Sequence, residues 1–350
     1  MTWPLDCIRQ NECLANHTSF RIGGPAEFFT EPSTIEELIQ VVREARGRGL
    51  PISVLGGGTN LLVPDRGIRG LVIHLGKTFR TTAPLDSSDP SSARVQCGAG
   101  LSTHRLVMLA AQEGWGEMER LAGLPGQVGG AVAMNAQDIG RFVESVRLVS
   151  FEGELREWPR ARLQFSYRYT ALEPGIIVDI VFRFPKVAVA VAAEEIARTL
   201  HYRNSTQDLK LPSAGCAFKN PPGDSAGRLI DQAGLKGTRI GDAQVSHRHA
   251  NFIMNLGHAT CDDVLSLMEH IQRQVEQRFG IKLEQEVRLF GGQWSPTVKP
   301  VAPAPTPRVG RTSRPAARAG TANGAHGQDR GPTAGWDYAA APRPSSRAGG

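Results

Sequence analysis

Ile52-Ser-Val-Leu-Gly-Gly-Gly-Thr-Asn-Leu-Leu-Val63 is an apolar run that breaks into three consecutive glycines, then Thr59 and Asn60. The run reads as a strand, and glycines let a backbone turn sharply and approach a ligand closely. Successive N–H groups in such a turn make a nest for an anion. The stretch lacks the Gly-Lys-Ser/Thr ending of a P-loop, and it lacks the third glycine of a dinucleotide GxGxxG fingerprint. Further on, Leu121-Ala-Gly-Leu-Pro-Gly-Gln-Val-Gly-Gly-Ala-Val-Ala-Met-Asn-Ala136 repeats the theme, with Gly123, Gly126, Gly129 and Gly130. Each cluster alone reads as a tight loop. Two nests in one chain suit a long ligand with a pyrophosphate in its middle, such as a dinucleotide.

The rest of the composition narrows the class. The chain has 350 residues, 40% hydrophobic and 21% charged, enough for two or three globular units. No run approaches 18 apolar residues, so no membrane insertion is expected. Met1 to Asn16 has no apolar h-region, so no secretory signal is expected. Cys7, Cys13, Cys97, Cys216 and Cys261 are scattered and odd in number. That argues against a disulfide framework or a metal site and for a reducing, cytoplasmic compartment. The formal charge of +6 sits entirely in the last 58 residues: Gln293 to Gly350 holds eight Lys+Arg and two acids, against 32 of each before it. The remainder is neutral, and no nucleic-acid partner is expected. That tail, 293–350, also holds nine of the 23 prolines and has no hydrophobic period, so it reads as disordered.

Ahead of the tail, helix and strand signals alternate. Ser33-Thr34 before Glu36-Glu37 makes a capping box for a helix ending near Gly49. Ser102 caps a helix toward Gly114. Val146–Phe151 and Leu155–Trp158 read as a hairpin, and Ile176–Phe184 as a strand. A Val/Ala run, 187–193, leads into a helix ending near Leu200. Helices follow at 226–233 and from a cap at Thr260, with strands at 251–256 and 283–290. The pattern is α+β in more than one domain.

Leu211-Pro-Ser-Ala-Gly-Cys-Ala-Phe-Lys-Asn-Pro221 puts one thiol, Cys216, in a small-residue turn with Lys219 and Asn220 just beyond it. A lone cysteine is usually a buried filler, so this turn needs context. Thr18-Ser-Phe-Arg-Ile-Gly-Gly-Pro-Ala26, Leu55–Asn60, Gly123–Gly126 with Gly129–Ala131 and Met134–Ala136, Phe165-Ser-Tyr-Arg168, Pro212–Pro221, Ala233–Gly237, His249-Ala-Asn-Phe252 and Leu283-Glu-Gln-Glu-Val-Arg288 supply it. In this order, from about residue 14 to 291, they resemble the UDP-N-acetylenolpyruvoylglucosamine reductase family, in its compact branch without longer substrate-covering insertions.

The resemblance implies a two-part FAD-binding domain of the vanillyl-alcohol-oxidase (PCMH) type, at 1–75 and 76–190. A third α+β domain at 191–292 binds substrate. It further implies non-covalent FAD held by Gly56, Gly57, Gly58, Thr59, Asn60 and Leu61 and by Pro125, Gly126, Gly129, Gly130, Met134, Asn135 and Ala136. NADPH is the co-substrate, UDP-N-acetylglucosamine enolpyruvate the substrate, and a monomer the expected state. Arg168 matches the arginine that grips the substrate carboxylate, Glu286 the catalytic carboxyl, and Cys216 the proton donor, where many relatives carry serine. Lys219, Asn220 and Arg288 are candidates for substrate binding; Gln207, Lys236, Ser246, His249 and Asn251 lie in matching segments without an assigned role. Glu284 and Glu286, two apart, should share one strand face, so spacing does not separate them. Two departures stand out: Gln127 replaces the usual Ser or Thr, and Gln137-Asp138-Ile139 replaces a glycine-rich run. Rival readings are another flavoenzyme on the same cofactor fold, a non-catalytic nucleotide-sugar binder, and a nucleic-acid partner acting through the basic tail.

Overall fold

In the computed structural model, residues 7–207 and 211–291 are described. The basic stretch at 293–350 lies outside the described residues. Strands β1 (Ile8–Cys13) and β2 (Pro25–Thr30) lead into helix α1 (Ile35–Gly47), and β3 (Ile52–Leu55), β4 (Leu61–Leu62) and β5 (Ile68–His74) follow. The α1 cap forms as read: Thr34 Oγ1 accepts from Glu37 N–H, and Ser33 N–H donates to the Glu37 carboxylate. Gly49, with φ +68°, turns the chain out of the helix. The first sheet has the order β1-β2-β5-β3, with β5 parallel to both of its neighbours. Parallel strands need both faces covered, and β5 is accordingly apolar along most of its length.

Strands β6 (Thr82–Leu85) and β7 (Ser92–Gly98) precede α2 (Thr103–Glu113), capped by Ser102 and closed by Gly114 in the left-handed region. Helix α3 (Val128–Ala133) grows out of the second glycine cluster. The hairpin β8 (Val143–Ser150) and β9 (Leu155–Pro159) forms as expected, followed by the small hairpin β10 (Gln164–Ser166) and β11 (Tyr169–Ala171) and by β12 (Gly175–Pro185). The five-stranded sheet β6-β7-β12-β8-β9 is antiparallel throughout. One core joins it to the first sheet's α1 side, with Leu38, Val42 and Ile73 meeting Leu106, Val132, Ile180 and Phe184.

Helix α4 (Val189–Thr206) starts inside the Val/Ala run and continues past Leu200. No Gly or Pro interrupts 200–206, so nothing in the backbone stops it there. Strand β13 (Ser213–Cys216), α5 (Ala226–Gln232), β14 (Arg239–Ile240), β15 (Ala243–Val245), β16 (Phe252–Asn255) and α6 (Cys261–Phe279) build the last layer, a sheet of order β13-β16-β15-β14. The α6 capping box uses Thr260 and Asp263, and Asp65 adds a carboxylate from the first sheet's side to the Cys261 N–H. A second core under α5 and α6 takes in Phe20, Ile22 and Leu62 from the N-terminal region. The stretch 283–290 is not one strand. Only β17 (Arg288–Leu289) pairs, in parallel with β4, while Gln285 makes an isolated bridge to Phe218. No described helix is long and apolar enough to cross a membrane.

Candidate active site

The two glycine clusters, 70 residues apart in sequence, pack directly on each other. A Cβ added to Gly57 would lie 2.8 Å from Gly126 Cα, and Thr59 Oγ1 donates to Pro125 O at 3.4 Å. Among the described residues, the N–H groups of Gly57, Gly58 and Thr59 have no backbone or side-chain acceptor. They are thus available to an anion. The second cluster is less open than its sequence suggests. Val128 and Gly129 give their N–H groups to Leu101 O and Ala99 O, so α3 begins already tied to the neighbouring chain. Cβ atoms built on Gly56 and Gly130 project into space: Gly56 would meet only Gln127 Oε1, at 3.7 Å, and Gly130 nothing within 4 Å. Gln127 therefore faces the loop at Gly56 with its amide. These features fit a phosphate-bearing cofactor pressed against bare backbone.

Gly58 is fixed by its surroundings. Its φ is +61°, and a Cβ there would sit 2.1 Å from His17 O. Gly58→Ala is expected to lose about 1–2 kcal/mol from the left-handed backbone alone, with further cost from moving the loop. The checks are a thermal melt and the bound-cofactor content of the purified protein; a variant matching wild type in both would show that the loop tolerates a side chain. Sequence reading gave no part in the site to His17 or His74, which line a pocket beside this loop. A pocket of ≈ 320 Å³ is lined by Asn16, His17, Thr18, Ser19, Gly56, Gly57 and His74. Its histidines come from distant segments, and no local pattern marks them.

Glu286 and Arg168 meet beside this loop. Arg168 Nε lies 2.7 Å from Glu286 Oε1, both side chains largely buried. The contact is an ion pair out of line for a hydrogen bond, so Arg168 Nε stays unsatisfied. Burial holds the Glu286 carboxyl above its ordinary range, against the opposing pull of Arg168 and Lys219. Arg168 is the second residue of the two-residue loop joining β10 to β11, and it takes φ +58°. A non-glycine residue there is strained. Asn135 pins the hairpin by donating from Nδ2 to Ser166 O at 3.0 Å, and its Oδ1 accepts from Gly140 N–H. Its side chain is thus committed inside the protein.

Cys216 is brought to the same place by backbone pairing. Beyond β13 the chain leaves β16 and runs along 284–286: Lys219 N–H donates to Glu284 O, and Glu286 N–H to Ala217 O at 2.8 Å. Gly215, at φ +76°, makes the bulge that turns Cys216 toward Glu286. Burial and then the Glu286 charge push the Cys216 thiol up to about 12, while Arg168 and Arg203 pull the other way. This is a thiol held protonated. Asn60 ties the first glycine loop to the same point, donating from Nδ2 to Glu286 O and to Met134 Sδ, while its carbonyl accepts from Arg288 N–H.

The other expected positions divide. Glu284 is exposed and pairs with Lys219 at 3.1 Å, so the two glutamates, expected on one strand face, serve different partners. Asn220 Oδ1 accepts from Ala226 N–H at the start of α5, which leaves its NH₂ for a ligand. Arg288 is exposed on β17. Lys236 pairs with Asp231, and Ser246 Oγ accepts from Arg248 N–H and His249 N–H. Arg203, missed because the helix was expected to stop at Leu200, bears on Cys216 and donates to Arg120 O.

The paired glycine loops on a parallel-and-antiparallel framework define an FAD-binding flavoprotein, and residues 26–157 match the family described as "FAD binding domain". Residues 207–290 match "UDP-N-acetylenolpyruvoylglucosamine reductase, C-terminal domain". UDP-N-acetylenolpyruvoylglucosamine reductase 2 of Symbiobacterium thermophilum is 42% identical over 296 residues, 83% of this chain and 94% of its own. The enzyme of Desulfosudis oleivorans is 43% identical over 301 residues, 82% and 95% of the two chains. The crystal structure of UDP-N-acetylenolpyruvylglucosamine reductase from Thermus caldophilus superposes with a TM-score of 0.68 at 38% identity, covering 81% of this chain and 99% of that one. The chain belongs to the UDP-N-acetylenolpyruvoylglucosamine reductase family, and it is an FAD-dependent oxidoreductase of α+β fold.

Proposed function

We propose that this protein reduces the enolpyruvyl group of UDP-N-acetylenolpyruvoylglucosamine to give UDP-N-acetylmuramate, a peptidoglycan precursor, with NADPH as reductant. The observation that carries the reading is the convergence of Cys216, Glu286 and Arg168, from three separate segments, beside the paired glycine loops. Residues 1–75 and 76–190 serve the cofactor and 191–292 the substrate. Gly56 to Leu61 and Pro125, Gly126, Gly129, Gly130, Met134, Asn135 and Ala136 would hold FAD, which when bound and reduced by NADPH would supply the hydride for C3 of the enolpyruvyl group. The new C3–H bond leaves an electron pair at C2, shared with the substrate carboxylate. Arg168 stabilises that charge with a planar, permanently charged fork. Glu286, whose pKa burial raises, donates a hydrogen bond to the same oxygens in its protonated form. Cys216 gives its proton to C2; a C–H bond forms, and the thiolate left behind recovers a proton from solvent. Lys219, Arg288 and the Asn220 amide bind the diphosphate.

An anaerobic spectral titration tests this. NADPH should bleach the oxidised flavin absorbance, and UDP-N-acetylenolpyruvoylglucosamine should restore it. Failure of the substrate to reoxidise the bleached enzyme would exclude the reading.

A further inference from the structure

Phe218 is completely buried, and its backbone N–H and C=O find no strand partner. The chain has left β16 after Cys216, whose ladder partner is Phe252. Toward 284–286 the hydrogen bonds are made by Ala217 and Lys219, on either side of Phe218. Both Phe218 groups go to one side chain. Asn251 Oδ1 accepts from Phe218 N–H at 3.0 Å, and Asn251 Nδ2 donates to Phe218 O at 2.8 Å. The Asn251 carbonyl accepts from Ala217 N–H at 2.8 Å. One residue, itself 2% exposed, thus holds two consecutive residues just past Cys216.

We propose that Asn251 is the positioning residue of the proton donor: its amide replaces a missing strand and fixes Cys216 in register against Glu286. This rests on the role proposed above for Cys216. The chemistry demands asparagine. A buried backbone N–H and C=O both need partners, so the side chain must offer an acceptor and a donor at one reach. Aspartate offers acceptors only, glutamine is a methylene too long, and alanine leaves both groups orphaned. Released from the clamp, the 216–219 segment can shift between 252 and 284–286, and the thiol moves off the reacting carbon.

Double-mutant kinetics test the assignment on the flavin-loaded full chain. Asn251→Ala and Asn251→Asp are expected to lower turnover of substrate by about 10²-fold, the cost of a misplacement on the order of 1 Å. Bleaching by NADPH and bound flavin should stay at wild-type levels. Where Asn251→Ala does not fold, Asn251→Ser, which keeps one hydroxyl for the clamp, takes its place. The deciding measurement is Asn251→Ala in the Cys216→Ala background. If Asn251 acts through Cys216, the second change costs less than about twofold beyond the first. A further loss as large as in the wild-type background overturns the proposal and makes Asn251 a general structural residue. A Cys216→Ala variant with wild-type turnover fails differently: it removes the acid role of Cys216 itself.

Discussion

Cys216→Ala is expected to lower substrate turnover by about 10²–10⁴-fold, the usual contribution of a positioned general acid, while NADPH still bleaches the flavin as in wild type. The split follows from geometry. The thiol sits beside Glu286 and Arg168, and in the proposed reaction it has no part in taking up the cofactor's electrons. Its protonation state supports the role. With its pKa raised to about 12, the group remains a thiol even at pH 9.0, its ordinary midpoint. A nucleophile would need the reverse shift. Iodoacetamide should therefore react with Cys216 slowly at neutral pH, and no covalent adduct with substrate should accumulate in a mass spectrum of the working enzyme. Cys216→Ser keeps an O–H in place of the S–H and should retain appreciable turnover, well above the alanine variant. Equal turnover of wild type and Cys216→Ala would take the residue out of the mechanism.

What the sequence made legible was local. The caps at Thr34, Ser102 and Thr260 formed because donor, acceptor and helix start lie within four residues of each other. The glycine runs announced bare backbone for the same reason. The site needed information from elsewhere in the chain. Glu284 and Glu286 differ only through their partners, Lys219 and Arg168, which belong to other segments. The expected closing strand failed because Val287 bends between an isolated bridge at Gln285 and the short pairing of Arg288 and Leu289. The second glycine cluster looked like an open nest, yet its first helical N–H groups are used by Ala99 and Leu101. Asn135, Gln137 and Asp138 adopt φ of +44°, +51° and +58° without a glycine among them. A composition signal for left-handed backbone was therefore missing where the turn occurs. Asn and Asp tolerate that region; for Gln137 the surrounding fold must impose it.

Arg168→Ala should lower turnover by about 10²–10³-fold, the scale of losing one preorganised contact to a developing anion. Arg168→Lys should recover only part of it. An ammonium carries the charge but lacks the planar fork that meets two carboxylate oxygens, and the φ of +58° fixes where the side chain begins. Glu286 gives the complementary result. Burial raises its pKa, so the protonated, donating form persists to higher pH than for an ordinary carboxylate. Turnover by wild type should fall as pH rises through that raised pKa. Glu286→Gln keeps an N–H donor that does not titrate, so its turnover, lower at acid pH, should be flat over the same limb. Stability carries the same sign. A group whose folded pKa lies above its unfolded value stabilises the fold at low pH, and that contribution is lost as pH rises. At neutral pH and above, Glu286→Gln should therefore melt no lower than wild type while turning over more slowly. Activity and stability then move apart at one residue, as expected where a carboxyl held in a poor environment for its charge serves, as proposed, as a hydrogen-bond donor. A pH–turnover profile unchanged by Glu286→Gln, or an Arg168→Ala variant altered only in its KM for NADPH, would place the developing charge somewhere other than this pair.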